Sequence, residues 1–255
     1  MTRRSVLVTG GARRIGAAIA QEFADAGWHV IIHYGTSHKE AQELRASLPS
    51  AETVRCDLAD TSAARAMVAE LLERAPDWRV LVNCASIFRR DGADCLDEDV
   101  FDRSMAVNAR SPAAMAQVFL SDRRTRAGRV VINVTDQKLE NTNPDFFSYT
   151  ASKHALAAAT GMQALDENAH ADDRVYGLAP GAILPSHDQA PRETEVSHRL
   201  NLLRRKTEAA EIAQAALWLS EGCMQSGETL FVDSGQHLLS QPRDVIYLAR
   251  EGLRQ

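Results

Sequence analysis

The chain has 255 residues, 45% of them hydrophobic, enough to bury a substantial core, and α/β folds of this length are commonly one domain. Its net charge of −5 argues against a nucleic-acid or membrane-surface partner, so the pairs Arg13-Arg14, Arg89-Arg90 and Arg123-Arg124 read as solvated basic surface. The four cysteines (Cys56, Cys84, Cys95, Cys223) follow no metal-ligand spacing and read as reduced, small core residues of a cytosolic protein.

The opening MTRRSVLVTG holds only a strand-length apolar run, far short of a signal-peptide core or a membrane span, so a cytoplasmic location is expected. Strand-like runs are expected at 5–9, 29–33, 52–56, 79–83, 129–134, 174–179 and 229–233. Helical patterns fall between them near 14–26, 37–48, 61–74, 97–127, 149–170 and 207–220. This alternation predicts one doubly wound, Rossmann-type α/β domain over 1–255, a seven-stranded parallel sheet with helices on both faces. Ligands of such sheets bind beyond the carboxyl ends of the strands. The irregular stretch 181–199 reads either as a mobile lid over a pocket or as a surface loop with a short helix. The C-terminal extension 240–255 has the pattern of one more amphipathic helix, packed on the domain or on a neighbouring subunit.

The first strand runs into VTGGARRIGAAIA. Gly10, Gly11 and Gly16 permit a tight turn and a close backbone approach to a phosphate, and the helix starting near Arg14 aims its free N–H groups at the anion. About twenty residues on, an NAD site carries a carboxylate for the ribose hydroxyl, but here the second strand ends in HYGTSHKE, with none before Glu40. Arg14, His33, Ser37, His38 and Lys39 are donors suited to a 2′-phosphate, which favours NADP(H).

In YTASK, Tyr149 and Lys153 lie one turn apart on the same helix face. A phenol is a poor acid–base group at neutral pH unless a neighbouring ammonium favours its ionised form, which is the role expected of Lys153, together with a bond to the nicotinamide ribose. Asp136 stands thirteen residues before the tyrosine. An ionised aspartate only accepts hydrogen bonds and repels the oxyanion of a simple ketone. It suits a substrate that presents N–H donors or a ring nitrogen that must gain a proton, and burial raises its pKa so that it shares proton delivery with Tyr149. A reduced nitrogen heterocycle such as a pterin fits that description.

The segments TGGARRIG, CDLAD, VNCAS, MAVNARSP, YTASK, LAPGA and SGETLFVDSG occur in the order and spacing of the short-chain dehydrogenase/reductase family, which the chain resembles over residues 5–239. The resemblance implies that Tyr149 donates the proton, that Lys153 lowers its pKa, and that Asn108 holds a relaying water. It further implies that Gly10, Arg13, Arg14, Ile15 and Gly16 form the phosphate turn and that His33, Tyr34 and Ser37 lie at the second strand's end. Asp57 and Leu58 would lie near the adenine, Asn83, Ala85 and Ser86 along the cleft, and Thr135, Pro180 and Gly181 at the nicotinamide. The chain departs from the general family pattern at Arg14 and Ser234, where Gly is usual, at Cys84, where Asn is frequent, and at Asp136, where Ser is usual.

Within the family the chain looks most like the pteridine reductases and bacterial dihydromonapterin reductases, which share the Arg of TGGARRIG, the HY ending of strand two, the Ser and Phe of NCASIF and the Asp thirteen before Tyr. That likeness implies that Arg14 touches the cofactor phosphate and the pterin edge, that Ser86 and Ile183 border the pterin, and that Phe88 stacks on it opposite the nicotinamide. The expected reaction is hydride transfer from NADPH to a C=N carbon of a dihydropterin-like ring, with the proton from Tyr149, Asp136 or a water they order. Two other readings stay open: a carbonyl reductase acting on a 3-oxoacyl thioester or a sugar ketone, and a non-catalytic NADP(H)-binding sensor or subunit. The helix at 97–127 and the small-residue face of 149–162 (Ala151, Ala155, Ala158, Ala159) are candidates for pairing two copies, as a homodimer or a homotetramer.

Overall fold

The computed structural model describes residues 3–75, 77–122, 128–167, 170–186 and 189–253. Its seven strands are β1 (Ser5–Val8), β2 (His29–Tyr34), β3 (Ala51–Arg55), β4 (Trp78–Asn83), β5 (Val130–Val134), β6 (Arg174–Pro180) and β7 (Thr229–Val232). All pair in parallel, in the order β3-β2-β1-β4-β5-β6-β7. The order reverses at β1/β4, the place where an open α/β sheet leaves a crevice for a ligand.

The central strands are apolar on both faces because both are covered. In β1, Val6 and Val8 join one core with Ile19, Phe23 and Ile212, while Leu7 joins the other with Leu71, Met115 and Phe119. The first core is roofed by α1 (Arg14–Asp25), α2 (His38–Ser47) and α8 (Ala209–Leu219). The second lies under α3 (Thr61–Arg74) and α5 (Ser111–Ser121), with α6 (Phe147–Ala164) alongside. Asp60 starts α3 by accepting the N–H groups of Ser62 and Ala63, which satisfies two donors that have no partner within the helix.

One difference from the sequence expectations has a physical cause, and one open alternative is decided. The single helix expected over 97–127 is α4 (Glu98–Met105), then one π turn over Ala106–Arg110, then α5; the π turn widens the coil at Asn108, whose side chain leaves the helix for the loop after β4. The last part of that expected helix, including the Arg123-Arg124 pair, lies outside the described residues, as do residues 168–169 of the helix expected over 149–170. In the stretch 181–199 the structure contains α7 (Pro191–Ser197), started by a proline at its first turn and by the Glu193 carboxylate, which accepts the Ala190 N–H; residues 187–188 lie outside the described set.

The C-terminal extension forms α9 (Val245–Gly252), capped by Asp244, and it packs on its own domain against α7, where Arg250 Nε meets Glu193 at 3.2 Å. Among the described residues no helix is long and apolar enough to cross a membrane, and no cluster of potential metal ligands occurs.

Candidate active site

The carboxyl ends of the strands open into a cleft of about 760 Å3. One wall is the turn after β1. Gly10 has φ +62°, and a Cβ there would lie 2.9 Å from the Ala85 Cα; a Cβ at Gly16 would lie 2.3 Å from the Gly10 carbonyl. Only glycine lets these segments approach so closely, and the resulting hollow suits a phosphate at the start of α1. Arg13, Arg14 and Ile15 line the same wall. Arg14 holds φ +57° and Ser234 φ +56°, so both positions where the family usually has glycine keep the left-handed backbone without it. Arg14 reaches across the cleft and donates to the Pro185 carbonyl at 3.0 Å and the Leu184 carbonyl at 3.4 Å.

His33 stands behind the turn rather than in front of it. Its Nδ1 accepts the Gly10 N–H at 3.1 Å and its Nε2 donates to the Cys56 carbonyl at 3.1 Å. Burial lowers its pKa from 6.5 to about 4, although the Cys56 carbonyl and Asp57 oppose the shift. It is therefore neutral with both nitrogens committed, and the expected role as a donor to a 2′-phosphate does not fit it. The end of β2 is otherwise free of carboxylates facing the cleft: Tyr34 bonds His38 at 2.8 Å, Ser37 precedes α2, and Glu40 faces Arg13 at 3.5 Å. Arg55 sits beside Tyr34 in register on β3 and lines this mouth; the chain-order reading passed over it because it ends a strand with no motif of its own. Asp57, Leu58, Ala85, Ser86, Thr135, Pro180 and Gly181 line the cleft as well.

Asn83 does not reach the cleft. Its Nδ2 donates to Asn133 Oδ1 at 2.8 Å beneath the floor, so it ties β4 to β5. Asn108 is likewise turned away from open space: its Oδ1 accepts the Ile87 N–H at 2.7 Å, and its Nδ2 donates to the Ile87 carbonyl at 2.9 Å and to Ser152 Oγ at 3.0 Å. Both amide protons are thus spent on fixing the loop after β4 against α6, which leaves only acceptor capacity on the side chain.

The reacting end is built by the loop after β5 and the first turns of α6. Phe146, at φ +57°, precedes the helix, and Asp91 from a distant loop accepts the Ser148 N–H and hydroxyl, which fixes where α6 begins. That start aims Tyr149 at Asp136, with phenol to Oδ2 at 2.6 Å, while Oδ1 accepts the Lys138 N–H at 2.9 Å. Lys153 donates to the Val134 carbonyl at 2.7 Å and lies 5.5 Å from the Tyr149 ring centre.

Burial raises the Asp136 pKa above the ordinary carboxylate range, with the Tyr149 hydrogen bond and the Lys138 charge pulling the other way. Burial first, and Asp136 second, hold the Tyr149 phenol well above 10. Burial lowers the Lys153 ammonium, partly offset by Asp136. The net shift of the tyrosine is therefore upward, because burial first and the neighbouring acid second outweigh whatever the Lys153 ammonium contributes. The consequence is a phenol that is protonated at neutral pH and hydrogen-bonded to a carboxyl, an arrangement suited to giving a proton.

Beside this pair Phe88 stacks on Phe146 with ring centres 4.1 Å apart and meets Tyr149 edge-on at 4.7 Å. Ile183 and Ile246 complete an apolar wall, the latter from α9. Lys138, Asp244, Val245 and Ile246 line this end and were missed by the chain-order reading. Nothing local marks them, since Asp244 is 106 residues from Lys138, its ion-pair partner at 2.8 Å.

A family model described as "Enoyl-(Acyl carrier protein) reductase" matches residues 10–237. The chain is 31% identical over 244 residues to short-chain dehydrogenase reductase 4 of Arabidopsis thaliana, covering 90% of this chain and 80% of that one. It is 25% identical over 236 residues to the dihydromonapterin reductase of Escherichia coli strain 536, covering 91% and 96%. The crystal structure of FolM alternative dihydrofolate reductase 1 from Brucella canis, complexed with NADP, superposes with a TM-score of 0.87 at 34% identity, covering 94% of this chain and 96% of that one. The glycine turn, the sheet order and the Tyr149/Lys153 helix therefore agree with these matches, and the chain belongs to the short-chain dehydrogenase/reductase family of oxidoreductases.

Proposed function

We propose that this chain is an NADPH-dependent reductase that saturates a C=N bond of a dihydropterin-like ring. The observation that supports this reading is the buried Asp136–Tyr149 pair at 2.6 Å, because a carboxyl beside the phenol would repel a ketone oxyanion and suits protonation of a ring nitrogen. The names of two relatives, a dihydromonapterin reductase and an alternative dihydrofolate reductase, support the same class of ring, and the second was solved with NADP. The glycine hollow fits the cofactor's phosphates, and Arg13, Arg55 and Ser37 are the side chains positioned to receive a 2′-phosphate.

When bound, the reduced nicotinamide supplies the hydride. Phe88 offers the flat apolar face that orients a heterocycle, with Ser86 and Ile183 at its edge. Tyr149 gives its proton to the ring nitrogen, and Asp136 makes up that proton or accepts an N–H of the substrate; Lys153 and Asn108 hold the geometry of the loops around them. The same reading includes a cytosolic homo-oligomer, a dimer or tetramer, formed in part by the partly exposed small-residue face of α6, with the exposed Met162 and Leu165 near its end.

The test offers dihydrobiopterin, dihydromonapterin, dihydrofolate and an acetoacetyl thioester side by side and follows NADPH oxidation. Turnover of a pterin is expected, with the thioester inert; turnover of the thioester alone refutes the pterin reading and restores carbonyl reduction. In the same assay Asp136→Ser is expected to lower kcat for the pterin roughly 100-fold with little change in the NADPH KM. Equal losses in both would make the aspartate structural.

A further inference from the structure

We propose that Lys138 and Asp244 are positioning residues: their buried ion pair latches the C-terminal segment 240–252 onto the loop that carries Asp136 and balances the charge around the Asp136–Tyr149 pair. This rests on the reading of that pair as the proton source.

The geometry is specific. The Lys138 backbone N–H already holds Asp136 Oδ1, and its side chain turns inward, donating from Nζ to Asp244 Oδ2 at 2.8 Å and to Asn143 Oδ1 at 2.9 Å. The ammonium and the carboxylate are 4% and 8% exposed, so neither relies on water for a partner. Asp244 uses its other oxygen to accept the Ile246 N–H at the start of α9, and its own N–H goes to Asp145 Oδ2 at 2.8 Å. Asp145 is in turn gripped by Arg243. Nearby, Asn141 and Gln241 bond each other twice, at 2.7 and 2.9 Å. The loop 136–148 and the segment 240–246 therefore form one interlocked wall, and Ile246 delivers that wall to Phe146 and Tyr149.

Buried ion pairs add little net stability compared with apolar replacements, so a pair kept at this position points to the geometry or charge it fixes. The charges that face Asp136 are Lys138 and Lys153, with the Tyr149 phenol as its hydrogen-bond donor. Those that face Tyr149 are Asp136 and Asp244 on one side and Lys153, 5.5 Å from its ring centre, on the other, with the Cys84 thiol, pushed up by burial to about 11, neutral beside them. Lys138 thus favours an ionised Asp136, while Asp244 favours a protonated Tyr149. As a pair they offset each other, and removing either leaves the other's charge bare beside the proton source.

The pair therefore makes a prediction of opposite sign for its two members. The experiment is the pH profile of kcat for Lys138→Met, Asp244→Asn and the double variant, with any substrate of the panel that the unaltered enzyme reduces. With Asp244 left bare, the proton donor stays protonated to higher pH, and the alkaline fall in turnover moves up by about one pH unit in Lys138→Met. With Lys138 left bare, it moves down by about the same amount in Asp244→Asn. The double variant returns near the original profile. Singles that leave the alkaline limb in place, or move it in the same direction, overturn the proposal in favour of a purely structural clamp. Failure of the pterin reading shows separately, in the unaltered enzyme's choice of substrate. A substrate-free measurement covers the case of a variant too poorly folded to assay or an enzyme inert to the whole panel. The carboxyl carbon of Asp136, identified in labelled protein by its loss in Asp136→Asn, is titrated by NMR in the unaltered enzyme and in Asp244→Asn. A lower midpoint in Asp244→Asn supports the proposal, and an unchanged one refutes it.

Discussion

The two ends of the cleft are built in different ways. At the cofactor end the chain turns back on itself within seven residues, and close backbone approaches shape it, Gly16 against Gly10 and Gly10 against Ala85, with the His33 ring as a buttress that accepts the Gly10 N–H. At the substrate end the shaping contacts are side chains drawn from segments about a hundred residues apart, such as Asn141 with Gln241 and Lys138 with Asp244. Backbone approach requires glycine and little else, so the first design leaves a short, readable signature. Side-chain pairing over long separations leaves none, and it is also the part that lets one fold take different substrates.

The sharpest way to break this comparison is to remove chemistry from the substrate end without touching the other. Tyr149→Phe deletes one oxygen from a helix whose start is fixed by Asp91 and Phe146, so the fold and the glycine hollow should be unchanged. Turnover is expected to fall by on the order of a thousandfold or more, with the NADPH dissociation constant within about twofold, measured by fluorescence titration. A matching loss of NADPH affinity would show that the two ends are one coupled site.

The second test loads the cofactor end alone. The neutral His33 imidazole has a pKa of about 4 in the fold against 6.5 ordinarily, so the unfolded chain takes up its proton first as the pH falls. Its contribution is fully present above pH 6.5 and is lost as the pH drops from 6.5 towards 4, up to about 3 kcal/mol. Denaturant melts across that range should show a slope that His33→Asn removes. If the slope persists in the variant, the acid sensitivity comes from elsewhere and the buttress behind the turn is not what titrates.

How far the sequence reveals this molecule follows the same division. The seven strands, their neighbouring helices and the glycine turn are legible because each rests on periodicity or on a residue type with one physical use. Tyr149 and Lys153 are legible as a helical pair, yet the direction of the tyrosine shift was not, since it depends on how deeply Asp136 is buried beside it. Asn83 and Asn108 share the motif order of cleft residues, but their amides are spent on Asn133 and on Ile87 and Ser152, a matter of register and of one π turn. For α9, the helix itself was readable, whereas its place as a pocket wall depends on Asp145 and Arg243 meeting across 98 residues.

Arg14 reaches from the phosphate turn to the loop after β6, and the smallest expected effect concerns it. At φ +57° an arginine carries a backbone cost of about 1–2 kcal/mol relative to glycine, whereas glycine there loses about 0.5–1 kcal/mol in chain entropy, so Arg14→Gly should be neutral or stabilising by about 1 kcal/mol. The exposed guanidinium, with its pKa lowered by partial burial and by Arg13, also gives up its bonds to the Leu184 and Pro185 carbonyls, which lie at the surface and are worth little. Hydrogen exchange over residues 181–186 should quicken, because this loop loses its tie to the turn after β1, while exchange over 136–148 should not, because that loop is clamped by the C-terminal segment. A thermal midpoint that falls by several degrees instead would mean that the arm across the cleft outweighs the strain beneath it. The phosphate turn would then depend on the substrate side for its stability, and the separation between the two ends would hold for their legibility alone.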